Sequence, residues 1–226
     1  MTKKAVILLS GGLDSTTCLA IAKSRGFECY TLSVAYGQKH SVELSAAKRV
    51  ADYFHVKKHD VITVSIGDFG GSALTDATMS VPDFGSHHDE IPTTYVPARN
   101  TIFLSIALGV AEIIAADAIF IGANAVDYSG YPDCRPLYFD AFQTMTNYAT
   151  KAGVSGKHIK IETPILTLTK AEIITLGVSL GVDYSITLSC YKVTEDELSC
   201  GVCDSCVFRK KGFLEANIAD PTKYRV

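Results

Sequence analysis

The stretch Leu8-Leu9-Ser10-Gly11-Gly12-Leu13-Asp14-Ser15-Thr16-Thr17 constrains this chain more than any other. It follows Lys4-Ala5-Val6-Ile7, an apolar run that reads as a buried strand. It leads into a helical pattern over 16–25, which Gly26 closes. The two glycines therefore sit at a strand-to-helix turn. Without a Cβ they let the backbone adopt unusual dihedrals and pass close to a ligand. The free N–H groups of such a turn, with the dipole of the helix behind them, form an anion site. Ser10, Ser15 and Thr16 add hydroxyl donors. The longer spacing and Lys-Ser/Thr pair of a Walker A loop are missing, as is Gly-x-Gly-x-x-Gly. The motif reads as a phosphate cradle of another kind, against the plainer reading of a glycine turn with a Ser/Asp helix cap.

The pattern around the cradle is α/β. Residues 28–34 alternate as a strand, 41–54 form an amphipathic helix with Val42, Ala46 and Val50 on one face, and 58–64 read as a third strand. This order implies a Rossmann-like parallel sheet with helices on both faces and right-handed crossovers. Residues 65–98 lack periodicity and are rich in Gly, Ser, Asp and Pro, which marks a functional or disordered loop. A helix over 101–115, capped by Asn100 or Thr101, and a strand over 118–121 follow. The loop 122–135 then stands at a strand's carboxyl end, where open α/β sheets bind ligands. Further elements are a helix over 137–151, a strand over 158–162 and a helix over 169–180 capped by Thr169 or Thr167. A nucleotide-binding α/β domain over 1–185 and a smaller metal-binding region over 186–226 are expected.

With 226 residues, 47% hydrophobic composition and a net charge of −3, the chain has enough apolar content for a full core and no general basic field for nucleic acid. The first strand begins too early for a signal peptide. The apolar run 102–121 holds Glu112 and Asp117, which are costly in lipid, and reads as a helix followed by a strand. A soluble cytoplasmic protein without membrane or nucleic-acid partners is expected. Of the seven cysteines, Cys190, Cys200, Cys203 and Cys206 follow the spacing C-x9-C-x2-C-x2-C ahead of a helix over 204–216. In a reducing compartment such crowding favours a metal over disulfides. Four thiolates satisfy one structural Zn²⁺, and an iron–sulfur cluster is the alternative. Cys18 and Cys29 read as core residues, and His87-His88-Asp89-Glu90 as a solvated loop.

Ser-Gly-Gly-x-Asp-Ser resembles the PP-loop of the ATP pyrophosphatase superfamily, whose members adenylate a substrate oxygen and release pyrophosphate. Four further segments narrow the resemblance to the 7-cyano-7-deazaguanine synthase family of queuosine precursor synthesis. They are Tyr36-Gly37-Gln38-Lys39-His40, Val96-Pro97-Ala98-Arg99-Asn100-Thr101, Asp127-Tyr128-Ser129-Gly130-Tyr131-Pro132-Asp133-Cys134-Arg135, and Cys200-Gly201-Val202-Cys203-Asp204-Ser205-Cys206. Ala98 stands where the family pattern has a glycine, and the segment Ile186-Thr187-Leu188-Ser189 lacks an expected tryptophan.

The resemblance implies that 7-carboxy-7-deazaguanine is adenylated by ATP, aminated by ammonia, and adenylated again to give the nitrile. It implies nucleotide contacts from Leu8, Leu9, Ser10, Gly11, Gly12, Leu13, Asp14, Ser15, Thr16, Thr17, Cys18 and Lys39. Asp14 would help hold Mg²⁺, or serve only as a first-turn helix acid. Arg99 would clamp phosphate or carboxylate, and Lys170 would contact phosphate. Solvation is the plainer role for Lys39 and for Lys170. Asp127, Tyr128, Tyr131, Asp133 and Arg135 would meet the deazaguanine, by carboxylate pairing with its guanidine-like edge and by ring stacking, or else form an ordinary polar turn. A homodimer is also implied. Two other readings remain open: a tRNA thiolase with Cys134 as sulfur carrier, and a zinc-knuckle nucleic-acid binder.

Overall fold

The computed structural model describes residues 2–37, 42–85, 91–127, 130–194 and 196–225. Strands β1 (Lys4–Leu8), β2 (Glu28–Ala35), β3 (Lys58–Thr63), β4 (Ala118–Phe120) and β5 (Lys160–Glu162) form one parallel sheet in the order β3-β2-β1-β4-β5. Seven α-helices are described: α1 (Leu13–Ser24), α2 (Val42–Tyr53), α3 (Arg99–Ile113), α4 (Pro136–Ala149), α5 (Lys151–Val154), α6 (Lys170–Ser179) and α7 (Asp204–Glu215). Successive strand residues point to opposite faces, so the sheet feeds two cores. Ile7 and Phe120 join Leu19 of α1, Ile173 and Ile174 of α6 and Phe213 of α7. Val6 and Ile119 join Leu104 of α3 and Phe139 of α4 on the other face. Phe213 thus places the C-terminal helix in the core of the sheet. The chain winds from β1 to β2 on one side and later to β4 on the other. That reversal opens a crevice at the carboxyl ends of β1 and β4.

Several local expectations are corrected. The first helix starts at Leu13, ahead of residue 16, because Gly12 in extended conformation serves as its N-cap. The helix expected over 101–115 starts at Arg99, and neither Asn100 nor Thr101 caps it. Its N-cap residue is Ala98, and the Asn100 N–H donates instead to Asp133 Oδ2 at 3.0 Å, a cap supplied from across the fold. The helix over 137–151 is divided, because Thr150 ends α4 and caps α5 by accepting from the Gly153 N–H at 2.9 Å. Thr169, not Thr167, caps α6, in a reciprocal capping box with Glu172. The strand over 158–162 shortens to Lys160–Glu162. The segment over 65–98 holds a 3-10 turn, Ser65–Phe69, and its Leu74 and Val96 pack on Val34 and Tyr36. Its described part is therefore folded onto the carboxyl end of β2.

Ala98 has φ 54, a left-handed backbone that its Cβ disfavours. Ala98→Gly is expected to raise stability by about 1 kcal/mol, the steric relief outweighing the greater freedom of glycine in the unfolded chain. A urea midpoint that falls or stays unchanged would show that the site carries no such strain.

Candidate active site

The crevice deepens into a cavity of about 230 Å³. The glycine turn forms its floor. Gly11, at φ 82, lies against α2 so closely that a Cβ would sit 2.4 Å from the Ala47 nitrogen. The tight approach lets the chain turn from β1 into α1, and the Gly12 N–H donates to Ser10 Oγ at 3.3 Å. Ser10 and Ser15 join their hydroxyls at 3.0 Å, and Ser15 Oγ also accepts the Ser10 N–H at 3.2 Å. Leu8, Leu9, Ser10, Gly12, Leu13, Asp14 and Ser15 line the cavity. Gly11, Thr16, Thr17 and Cys18 do not. Thr16 and Thr17 turn their hydroxyls back onto the carbonyls of Gly12 and Leu13, at 2.8 and 2.9 Å, and Cys18 is fully buried.

Beside the floor lies a buried charge cluster. Lys170 is the first residue of α6, and its Nζ lies 2.7 and 2.9 Å from the two Asp14 oxygens and 2.8 Å from Asp127 Oδ2. Asp127 is positioned by its N–H, which donates to Asn124 Oδ1 at 2.7 Å. The three side chains are 8%, 20% and 10% exposed, so this is a buried lysine shared by two carboxylates. Gly212 of α7 makes room for it, because a Cβ there would lie 2.4 Å from Lys170 Cγ. Asp127 therefore engages the lysine and is not among the cavity-lining residues.

Arg99, Tyr131 and Cys134 line the cavity as well. Tyr131 is buried and its hydroxyl meets Thr94 Oγ1 at 2.6 Å. Asp133 is buried behind that wall as the cap of α3, and Arg135 is exposed at the start of α4; neither lines the cavity. Burial, reinforced by the neighbouring Asp133 charge, pushes the Cys134 thiol up to about 11, so it is a protonated thiol near neutral pH. Lys39 and Tyr128, together with His87 and His88, lie outside the described residues.

Three contributors were not legible as site residues. Glu43, in the first turn of α2, lines the cavity beside Leu44, Leu74 and Phe103. Burial pushes its carboxyl up to about 7, against the opposing pull of the Arg99 charge. Ser189 and Ser205 come from the cysteine-rich end. Ser189 Oγ accepts the Leu13 N–H at 3.2 Å, the Leu188 N–H donates to the Gly11 carbonyl at 2.9 Å, and the Ser205 hydroxyl donates to the Ser189 carbonyl. A polar residue inside an otherwise amphipathic helix, and serines flanking cysteines, carry no spacing signal that would have revealed them.

The sulfurs of Cys190, Cys200, Cys203 and Cys206 all lie within 4.8 Å of one another and are positioned to bind a metal. A tetrahedral ion with metal–sulfur bonds of about 2.3 Å needs sulfurs about 3.8 Å apart, and Cys200 and Cys206 are 3.9 Å apart. The Lys192 and Cys200 N–H groups point at Cys190 Sγ from 3.2 and 3.1 Å, donors suited to a thiolate. The other three cysteines, Cys18, Cys29 and Cys134, are buried elsewhere.

Residues 4–217 match the family described as Queuosine biosynthesis protein QueC. The 7-cyano-7-deazaguanine synthase of Coxiella burnetii (strain RSA 331 / Henzerling II) is 65% identical, over 98% of this chain and 98% of its own length. The protein of the same name from Saccharophagus degradans (strain 2-40 / ATCC 43961 / DSM 17024) is 62% identical over the same shares. A solved 4-thiouridine synthetase–RNA complex with bound ATP shares the fold, with a TM-score of 0.52 at 19% identity, covering 98% of this chain and 47% of that one. Among the described residues no helix is long and apolar enough to cross a membrane.

Proposed function

The chain belongs to the QueC family of queuosine biosynthesis proteins, and from that premise we propose that it makes 7-cyano-7-deazaguanine from 7-carboxy-7-deazaguanine and ammonia, using ATP. The observation that carries this reading is 65% identity across nearly the whole length of a relative bearing that name. The cavity suits it, since a glycine turn, a buried acid–lysine cluster and an arginine converge on one apolar slot.

In this reading the turn's amides and the Ser10 and Ser15 hydroxyls hold the triphosphate, and their fixed dipoles meet charge developing on the α-phosphate. Lys170 orients Asp14 toward that floor. Asp14 would help hold Mg²⁺, which would neutralise phosphate charge. Arg99 pairs with the substrate carboxylate and brings its oxygen to the α-phosphate. Tyr131 and Tyr36 supply aromatic wall for the ring. The four cysteines would hold one structural Zn²⁺, and four thiolates would leave it no role in the chemistry. The regions 1–185 and 186–226 divide by role, with the second supporting the phosphate floor of the first. The enzyme works in the cytoplasm on small molecules, as a homodimer. The thiolase alternative is disfavoured by Cys134, whose buried, protonated thiol is a poor sulfur carrier.

Incubating the protein with Mg-ATP, ammonium and 7-carboxy-7-deazaguanine is expected to give the nitrile, AMP and pyrophosphate by mass spectrometry. No conversion by folded, zinc-loaded protein would refute the substrate assignment.

A further inference from the structure

We propose that Glu43 is the base that takes the nitrogen's protons in the steps that follow adenylation. This rests on the synthase reading above. Each of those steps must shed protons. In the first, ammonia nitrogen bonds to the acyl carbon of the adenylate, the carbon–oxygen bond to AMP breaks, and one N–H proton is lost to give the amide. In the second, the amide oxygen bonds to the α-phosphate of another ATP, pyrophosphate leaves, and one amide proton is lost. The carbon–oxygen bond to AMP then breaks, the carbon–nitrogen triple bond is completed, and the last N–H proton is lost. A positioned base is needed each time.

Asp14 and Glu43 are the carboxylates among the described lining residues of the cavity. Both Asp14 oxygens are taken by Lys170 Nζ, at 2.7 and 2.9 Å, so neither is placed to take a proton from the substrate nitrogen. Among the described residues no lysine engages Glu43 in this way. It stands among Leu44, Leu74 and Phe103, in the same cavity as Arg99. Among the described residues the titratable groups facing it are Arg99 of α3 and Tyr36, just past β2. Arg99 keeps the carboxylate accessible, while burial raises its proton affinity to a value near the working pH, where a general base is most effective. Glu43 is half-buried, so it can pass each proton to water before the next step.

The test uses full-length, metal-loaded protein carrying Glu43→Gln. Adenylation is read as ATP–pyrophosphate exchange dependent on 7-carboxy-7-deazaguanine, and the later steps as nitrile formation from ammonium. We expect exchange to persist while nitrile formation falls by about 100-fold or more. In the unsubstituted protein kcat should rise with pH through about 7, as Glu43 ionises, and Glu43→Gln should remove that limb. Glu43→Asp should restore part of the rate. Equal loss of exchange and nitrile formation would overturn the proposal by making Glu43 a substrate-binding group, and so would unimpaired nitrile formation. Absence of exchange in the unsubstituted protein would instead overturn the substrate reading, and this proposal with it.

Discussion

Lys170→Met is expected to abolish nitrile formation and to destabilise the fold by about 3 kcal/mol. The lysine is shared by Asp14 and Asp127, all three largely withdrawn from water. Removing the cation leaves two carboxylates facing one another, and loss of one partner from a buried ion pair typically costs about 3–5 kcal/mol. The lower end applies because Asp14 opens onto the cavity. Methionine keeps most of the stem volume against Gly212, so a fall in the urea midpoint reports the charge and not a packing defect. Lys170→Arg should fail as well, since α7 closes on the stem and a planar guanidinium cannot reach both acids in the same way. An unchanged midpoint with residual turnover would make the cluster incidental to stability and catalysis alike.

Cys203→Ser, or chelation of the bound metal, is expected to remove ATP-dependent activity along with about one metal ion per chain. Structural zinc in small peptides binds with about 10–16 kcal/mol, more than the whole stability of many domains, so the cysteine region is expected to fold as its metal binds. The consequence should reach the glycine turn through short links. Ser189 precedes Cys190 and accepts the Leu13 N–H, Leu188 donates to Gly11, and Ser205 beside Cys206 holds Ser189. Behind them the buried Arg209 of α7 bonds to Thr187 Oγ1 at 2.8 Å and to the Tyr184 carbonyl at 3.0 Å. Losing the metal should therefore loosen the phosphate floor before the β-sheet melts. Elemental analysis, ATP–pyrophosphate exchange and circular dichroism together check this. Retained exchange in metal-free protein would show that the two regions are uncoupled.

Sequence alone carried the parallel α/β plan, the strand–turn–helix placement of the glycine motif and the four-cysteine cluster, because each is encoded in local periodicity or close spacing. It put Lys170 at a helix start, and it singled out Arg99 as a clamp and Tyr131 as a stacking ring, two residues that line the cavity. It misplaced the start and cap of α3, since the cap comes from Asp133, far along the chain. The substrate-reading roles drawn from the resemblance for Asp127, Asp133 and Arg135 have no counterpart in the cavity lining. Two of these acids are engaged by partners that no local pattern reveals, Lys170 and the N-terminus of α3.

What the sequence by itself determined is therefore the chemistry available and the order in which it is strung: a glycine turn after the first strand, a four-cysteine cluster, acids and cations at the ends of strands. Only the tertiary structure decided which of these meet. It paired Lys170 with two distant acids, gave the capping work to Asp133, brought the cysteine region onto the glycine turn, and turned Glu43 of an ordinary amphipathic helix into the cavity. The physical reason is that burial and charge pairing are properties of the packed arrangement. A carboxylate acts as counter-ion, cap or base according to what surrounds it, and those surroundings come from parts of the chain far apart in sequence.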